Sequence, residues 1–305
     1  MRFFISTTLA LGLSNVCIAA PTQRGHKKPG ITDIDILQYA LTLEHLEYAF
    51  YRDGIAKFNS SQQFADAGFR GSFFKNINEV LYDEKTHVDF LTGAISKLGA
   101  KPVAECTYSF PYTDVKSFVG LASVLEGVGV TAYLGAAASI VDDTYLTAAG
   151  SILTVESRHS AYLRAAQKQS PFPQPFDVPL DFNEVYTLAA PFIKSCPASN
   201  GKLPVKAFPS LMLDASSMNV MTGSQITLDL GKELKKQQYY AAWIAVTGPT
   251  FTDVQVNGKK LTTTVPVGFY GQSYVVITKD KGAATDDCIV AGPAIVEVKG
   301  SAGGN

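Results

Sequence analysis

A Glu-x-x-His sequence occurs twice in this chain, each time among apolar residues with helical spacing. Glu84 and His87 lie in LYDEKTHVDFL, and Glu156 and His159 lie in TVESRHSAYL. Residues three apart share one face of an α-helix, so each pair can reach a single metal ion. One such pair is common by chance. Two pairs indicate a shared site only if partner helices supply further carboxylates at the same height.

The spacing of apolar residues predicts four long helices. They are expected over residues 33–58, 68–98 and 114–141, and from 144 to a point before Pro171. Residues 100–113 show no periodic pattern and, fully extended, span on the order of 45 Å. That length covers a helix of about 26 residues, roughly 39 Å long. The pattern predicts a four-helix bundle with a long crossover between its second and third helices.

The first and third predicted helices supply the missing carboxylates. Glu44 lies on the first, and Glu126 is the single acidic residue of the apolar, glycine-rich run 117–141. A carboxylate buried in such a run needs a partner. Each of these glutamates lies about as far from its helix end as the Glu-x-x-His pair lies from the adjoining end of the next helix. In antiparallel helices Glu44 is therefore level with Glu84, and Glu126 is level with Glu156. Tyr51 and Tyr133 repeat the symmetry, each seven residues after its glutamate.

Six residues therefore form the predicted ligand set: Glu44, Glu84, His87, Glu126, Glu156 and His159. Four carboxylates and two imidazoles are typical of a di-iron or di-manganese site, and oxygen-rich ligands suit these metals better than zinc or copper. In this hypothesis Glu84 and Glu156 bridge the two metals. Glu44 and Glu126 are terminal ligands, and each histidine holds one metal.

Some alternatives stay open around this set. Glu47 or His45 can replace or supplement Glu44. The internal symmetry favours Glu44, because Gly129 stands where the third helix would repeat Glu47, and His45 is turned by about 100° from Glu44. Four tyrosines can either hydrogen-bond the ligands or simply pack in the core. These are Tyr39, Tyr51, Tyr133 and Tyr162.

The rest of the chain divides by composition. Residues 1–20 have the pattern of a secretory signal peptide, too short for a membrane span, and 21–31 form a polar leader. The bundle is expected over 32–170, and a linker with a short helix over 171–207. Residues 208–305, rich in Val, Thr and Tyr, predict a small antiparallel β domain, expected to be a sandwich with a hairpin turn at Asn257-Gly258. The fold class is thus α+β with more than one domain.

The net charge argues against nucleic acid as a partner, and the cysteines bear on the exported protein that the signal peptide predicts, in the medium or at the cell surface. The net charge of −1 gives no basic patch for nucleic acid. Three cysteines follow the signal peptide, and in an oxidising compartment two of them normally pair. We expect Cys106 to pair with Cys196, because both lie in loop-like segments that flank helices of the same domain. Cys288 is then left over.

Residues 32 to about 170 resemble the ferritin-like superfamily. The signal peptide, LEHLEYAFY, CTYSFPYTD and the added C-terminal region are similar to the secreted fungal ferritin-like proteins, grouped with stress-response proteins and plant desiccation-related proteins. The resemblance covers roughly half the chain. It implies an exported, stress-linked protein without specifying its chemistry.

The function expected from these residues is that of an oxidoreductase with two Fe or Mn ions that acts on dioxygen or peroxide. No rubredoxin-like cysteine cluster is present, which argues against a self-contained rubrerythrin-type peroxidase. The alternative is a non-catalytic stress or cell-surface protein whose β domain binds the cell wall or a protein partner. Iron storage is a third hypothesis, but the β domain fits poorly into a closed shell. Neither nucleic acid nor a membrane span is expected.

Overall fold

The computed structural model describes residues 30–217, 219–235 and 237–304. The predicted signal peptide and all but the end of the leader lie outside these residues. Six α-helices precede the β region within the described part: α1 (Asp33–Lys57), α2 (Ser61–Asp66), α3 (Phe73–Lys97), α4 (Val115–Ala137), α5 (Asp143–Ala166) and α6 (Phe182–Ala189). The four long helices form the predicted bundle, with α1 packed mainly on α3 and α4 mainly on α5.

The second predicted helix is shorter than expected. Residues 68–72 are turns and irregular backbone, and α3 begins only at Phe73. The short helix α2 lies ahead of the predicted start, in a segment that the sequence analysis did not assign to a helix. Gly68 and Gly71 adopt φ angles of +105° and +68°, in the left-handed region that ends helices. Ser60 caps α2 by accepting a hydrogen bond from the backbone N–H of Gln63. The two glycines therefore delay the start of a helix that apolar spacing alone predicts to begin at residue 68.

The crossover between α3 and α4 is held against α1. The side chain of Gln38 donates to the carbonyl of Lys101 at 2.7 Å and accepts from the backbone N–H of Val103 at 2.9 Å. Cys106 and Cys196 form a disulfide, as the sequence predicted. Beside it, β1 (Thr107–Tyr108) pairs with β2 (Ile193–Ser195). The crossover is thereby tied both to the bundle and to the segment that follows α6.

Helix α4 is the most apolar of the long helices, and it packs in the centre of the protein. It is the one helix among the described residues with the length and composition of a membrane span, and 67% of its most apolar window is buried inside the protein. Asp114 and Ser117 form a capping box at its start. The side chain of Glu126 is completely buried. The apolar run is thus the part of α4 that packs against the rest of the protein.

The C-terminal region contains two four-stranded antiparallel sheets with a shared apolar core. Their strands are β3 (Met212–Leu213), β4 (Gln225–Asp229), β5 (Tyr240–Trp243), β6 (Thr250–Asp253), β7 (Gln255–Asn257), β8 (Lys260–Thr264), β9 (Gly271–Thr278) and β10 (Ile289–Val298). The sheet orders are β10-β9-β5-β6 and β3-β4-β8-β7. The sheets pack face to face, which confirms the sandwich.

The hairpin between β7 and β8 turns one residue later than the sequence suggested. Asn257 pairs with Lys260, so the two central residues of the turn are Gly258 and Lys259. Gly258 has a φ of +60°. Because glycine adopts this conformation without steric cost, it takes the first central position and Asn257 stays in the strand.

The sandwich contacts the bundle through β9 and β10. Arg164 at the end of α5 donates two hydrogen bonds to the carboxylate of Glu297, at 2.8 and 3.0 Å. Gln272 donates to the carbonyl of Val124, and Tyr274 donates to the carbonyl of Gly127. Helix α6 lies between α4 and β10 and contacts both. The two parts of the chain therefore share polar and apolar contacts.

Candidate metal centre

All six predicted ligands lie together in the interior of the bundle. The four glutamates have no solvent exposure, and the two histidines are 8% exposed. Helix α1 carries Glu44 and helix α4 carries Glu126, while α3 and α5 each carry one Glu-x-x-His pair. The helical period places the Glu and His of each Glu-x-x-His pair on one face of its helix. In the bundle, the ligand-bearing faces of all four helices point toward the interior.

Their side chains form two overlapping groups. Glu44, Glu84, His87 and Glu156 offer four ligand atoms that lie within 4.8 Å of one another. Glu84, Glu126, Glu156 and His159 do the same. Glu84 and Glu156 belong to both groups, which is the arrangement expected of two carboxylates that bridge a metal pair.

The distances around each histidine fit a common cation. His87 Nδ1 lies 3.3 Å from Glu44 Oε2 and 3.4 Å from both Glu84 Oε2 and Glu156 Oε1. His159 Nδ1 lies 3.2 Å from Glu84 Oε1 and 3.3 Å from Glu126 Oε2. Ligand atoms at about 2.1 Å from one metal are themselves about 3.0–3.4 Å apart in octahedral or tetrahedral geometry.

Hydrogen bonds within the cluster do not satisfy these atoms. One ring nitrogen carries at most one proton, so His87 Nδ1 cannot donate to three carboxylates at once. Both oxygens of Glu84 and of Glu156 are buried without a hydrogen-bond partner, as are one oxygen each of Glu44 and Glu126. Buried polar atoms are rarely left unpaired, and metal ions would satisfy this set. The donor set therefore fits a pair of oxygen-preferring metals.

Burial and mutual repulsion perturb the protonation of the cluster without metal. Burial raises the pKa of Glu44 to about 7 and the pKa of Glu156 well above its usual value. Burial also opposes ionisation of Glu84, but His159 and His87 outweigh it and lower the pKa of Glu84 to about 2. Burial lowers the pKa of His159, whereas Glu126 and Glu84 raise it to about 12. The cluster thus holds protons that cations would displace.

Two of the four candidate tyrosines hydrogen-bond the terminal carboxylates. Tyr51 donates to Oε1 of Glu126, and Tyr133 donates to Oε1 of Glu44. Each bond crosses between α1 and α4, and each leaves Oε2 of the glutamate facing the histidines. The other two tyrosines pack against aromatic residues of the bundle. Tyr39 packs edge-on against Phe182, and Tyr162 stacks on Phe73.

The two histidines differ in their outer partner. His159 Nε2 lies 3.1 Å from a carboxylate oxygen of Asp83, the residue before Glu84. The corresponding residue before Glu156 is Val155. A carboxylate on the far nitrogen fixes the orientation of a metal-ligating histidine and raises its basicity. The sequence analysis did not predict a role for Asp83. Its signal was that an acidic residue precedes Glu84 in DEKTH, whereas a valine precedes Glu156 in VESRH.

Glu47 and His45, the open alternatives for the first helix, occupy different places. His45 Nε2 lies 3.1 Å from the carbonyl of Val103 in the crossover, so this ring is directed away from the cluster. Glu47 is 4% exposed and lies beside the cluster, outside both groups of four. Burial, with the charge of Glu156, raises the pKa of Glu47 well above its usual value.

Comparisons with known proteins agree with this geometry. Residues 32–169 match the family model described as a ferritin-like domain. Protein rds1 of Schizosaccharomyces pombe (strain 972 / ATCC 24843) is 29% identical over 181 residues, which are 59% of this chain and 44% of rds1. The chain therefore spans less than half the length of that relative. The bundle is thus similar to a ferritin-like domain, and its buried cluster has residues that could hold metal.

Proposed function

We propose that the bundle holds two iron or manganese ions and uses them to react with dioxygen or peroxide. The observation that carries the proposal is the sharing of Glu84 and Glu156 between two groups of buried ligand atoms. A single-metal site would need only one group. A cluster without metal would leave many buried polar atoms unpaired.

The surrounding residues fit such a role. When bound, a pair of iron or manganese ions supplies redox chemistry and polarises an oxygen substrate. Burial raises the pKa of Tyr51 and of Tyr133 well above the usual value, with the charges of Glu126 and Glu44 contributing, so both hydroxyls remain proton donors. They hold one oxygen of each terminal carboxylate and leave the other for a cation. Complete burial of the glutamates keeps bulk water from the site.

Export and a link to stress belong to the same proposal. Residues 1–20 have the pattern of a signal peptide, and the disulfide between Cys106 and Cys196 suits an oxidising compartment. The stress role rests on the resemblance to secreted fungal ferritin-like proteins. A secreted metal oxidase or peroxide-consuming protein would be consistent with both.

A second candidate function is partner binding without catalysis. It is favoured by exposed apolar side chains in the linker and sandwich, where Phe176 is 62% and Val267 is 85% exposed. These two residues line one shared surface pocket with Val246, itself 46% exposed. Contiguous exposed apolar residues often mark an interaction surface, here for a protein or the cell wall.

Metal analysis of the secreted protein tests the proposal. We expect about two Fe or Mn ions per chain in protein loaded under anaerobic conditions, as in other sites with this ligand set. The variant Glu84→Ala/His87→Ala removes one bridging ligand and one histidine and should lose both ions. Lys85→Ala/Asp89→Ala is the matched control, since it removes an exposed salt bridge from the same helix. Absence of metal from loaded wild-type protein would overturn the proposal.

A further inference from the structure

An apolar cavity of about 80 Å³ leads toward the candidate metal centre along the seam between α1 and α4. Its outer lining includes the half-buried side chains of Leu188, Phe192 and Ile295. Its inner end is formed by Glu47 and Gly129, both buried. The cavity therefore extends from partly exposed residues to the edge of the carboxylate cluster.

Gly129 brings the inner end of the cavity directly to the cluster. A Cβ atom at this position would lie 2.8 Å from Glu156 Oε2 and 3.0 Å from Glu47 Oε1. Such distances are too short for unbonded carbon and oxygen atoms. The missing side chain thus leaves room for both carboxylates beside Gly129, which itself lines the cavity.

The lining favours an apolar occupant over water. Glu47 is the one polar side chain among the residues that line the cavity. A buried water needs two to four polar partners and a share of about 30 Å³, whereas apolar cavities remain dry and take up xenon. The cavity has the volume for a small gas molecule, but it lacks the partners for an ordered chain of waters.

We propose that dioxygen binds in this cavity on its way to the metal pair. Hydrogen peroxide would lose its hydrogen bonds to water against the same walls, which offer it almost no replacement partners. The inference rests on the proposed function, because it specifies the substrate that reaches that site. It selects dioxygen over peroxide for this route.

The same arrangement makes the segment after the bundle part of the cavity wall. Leu188 belongs to α6, Phe192 follows it, and Ile295 belongs to β10. These residues cover the seam between α1 and α4 from outside the bundle. The sandwich and α6 therefore contribute the outer wall of the cavity.

A second cavity provides an internal control. It has about 30 Å³ and lies among α1, α3, α4 and α5, where Tyr133 and Ala149 are part of its lining. It contacts neither Glu47 nor Gly129. Ala149→Leu should fill this cavity, and Ala189→Leu should fill the one beneath α6. The two variants make the same chemical change in two apolar cavities.

The first measurement uses xenon on metal-free protein. Crystals of the wild type under xenon pressure should show xenon between α1 and α4, and crystals of Ala189→Leu should not. Leu188→Phe serves as a second filling variant if Ala189→Leu fails to fold. A wild-type cavity without xenon would overturn the proposal.

The second measurement follows the rate at which nitric oxide reaches Fe(II) in loaded protein, because this gas is similar to dioxygen in size and polarity. Ala189→Leu should slow the reaction by about tenfold, while its iron content stays at the wild-type value. Ala149→Leu should leave the rate unchanged. Equal rates in all three proteins would overturn the proposed route.

The two experiments separate failure of the proposed function from failure of the cavity. If no protein takes up iron, the proposed function fails and the route to the metals fails with it. The xenon result still decides whether the cavity accepts an apolar gas.

Discussion

The Tyr51 hydroxyl on α1 donates a hydrogen bond to Oε1 of Glu126 on α4. Tyr133 on α4 makes the reciprocal bond to Glu44 on α1. Each tyrosine thus orients the terminal carboxylate of the opposite helix, and the other oxygen of that carboxylate faces a histidine. The two half-bundles are linked through the same residues that the metals would require.

Replacement of Tyr51 by phenylalanine should weaken metal binding while the fold remains intact. The ring stays fully buried, but Glu126 loses the donor that orients it. We expect the affinity for one metal to fall by about 10- to 100-fold, as is usual when an outer-shell partner is removed. Competition titration with a chelator measures the change. Tyr162→Phe, which removes a hydroxyl bonded to Asn76, is the control and should retain wild-type affinity.

Asp83 should make the two metal positions unequal. It lies 3.1 Å from His159 Nε2, whereas Val155 occupies the corresponding place on α5. Asp83→Asn should lower the affinity of the position that uses His159 by about 10-fold or more and leave the His87 position unchanged. Stepwise titration should then show a wider separation or a different order of the two binding events. An equal loss at both positions would contradict this asymmetry.

Gly129→Ala should displace carboxylates from the cluster. The added methyl group would lie 2.8 Å from Glu156 Oε2 and 3.0 Å from Glu47 Oε1, so at least one side chain must move. Metal affinity should fall, even though alanine favours a helix over glycine by about 1 kcal/mol. Gly93→Ala in α3 is the matched control, because its Cβ meets no atom within 4 Å. That variant should be slightly more stable and bind metal normally.

The metal-free protein should lose stability as pH rises. The folded-state pKa values of Glu44, about 7, and His159, about 12, both exceed the unfolded values, so the folded state binds more protons. The contribution of Glu44 to the free energy of unfolding is fully present below pH 4.5 and is lost as the pH rises through about 7. The contribution of His159 is lost as the pH rises above 6.5. The slope should be on the order of 1 kcal/mol per pH unit.

Thermal unfolding of metal-free protein between about pH 5 and 8 measures this slope. In metal-loaded protein the stability should instead increase with pH. Cations displace the protons held by the cluster, so they bind more tightly as the pH rises. A melting temperature that increases with pH in metal-free protein would contradict the protonation assigned to the cluster.

The disulfide between Cys106 and Cys196 should stabilise the protein substantially. It joins residues 90 apart and ties the crossover to the segment after α6. Removal of a bridge across a long loop costs about 2–5 kcal/mol. Cys106→Ser/Cys196→Ser should therefore lower the denaturant midpoint, while Cys288→Ser should leave it near the wild-type value, because Cys288 is a free thiol in the structure.

Much of the site could be predicted because its signals are local. The helical period places Glu84 and His87 on one face, and helix lengths place Glu44 at nearly the same height. Thr32 and Asp114 mark helix starts through capping boxes that span only a few residues. Such relationships depend on backbone geometry within one element, which the residue order determines directly.

The order of residues was enough to predict the candidate ligand residues, the helical faces on which they lie, the crossover and the α+β division. Three relationships became visible only after folding. Tyr51 and Tyr133 hydrogen-bond glutamates on the opposite helix, across α1 and α4. Asp83 contacts His159 Nε2, and Glu47 lies against the backbone of Gly129. These relationships depend on the rotation and separation of packed helices. Interlocking side chains from distant parts of the chain set both quantities, so no local pattern specifies them.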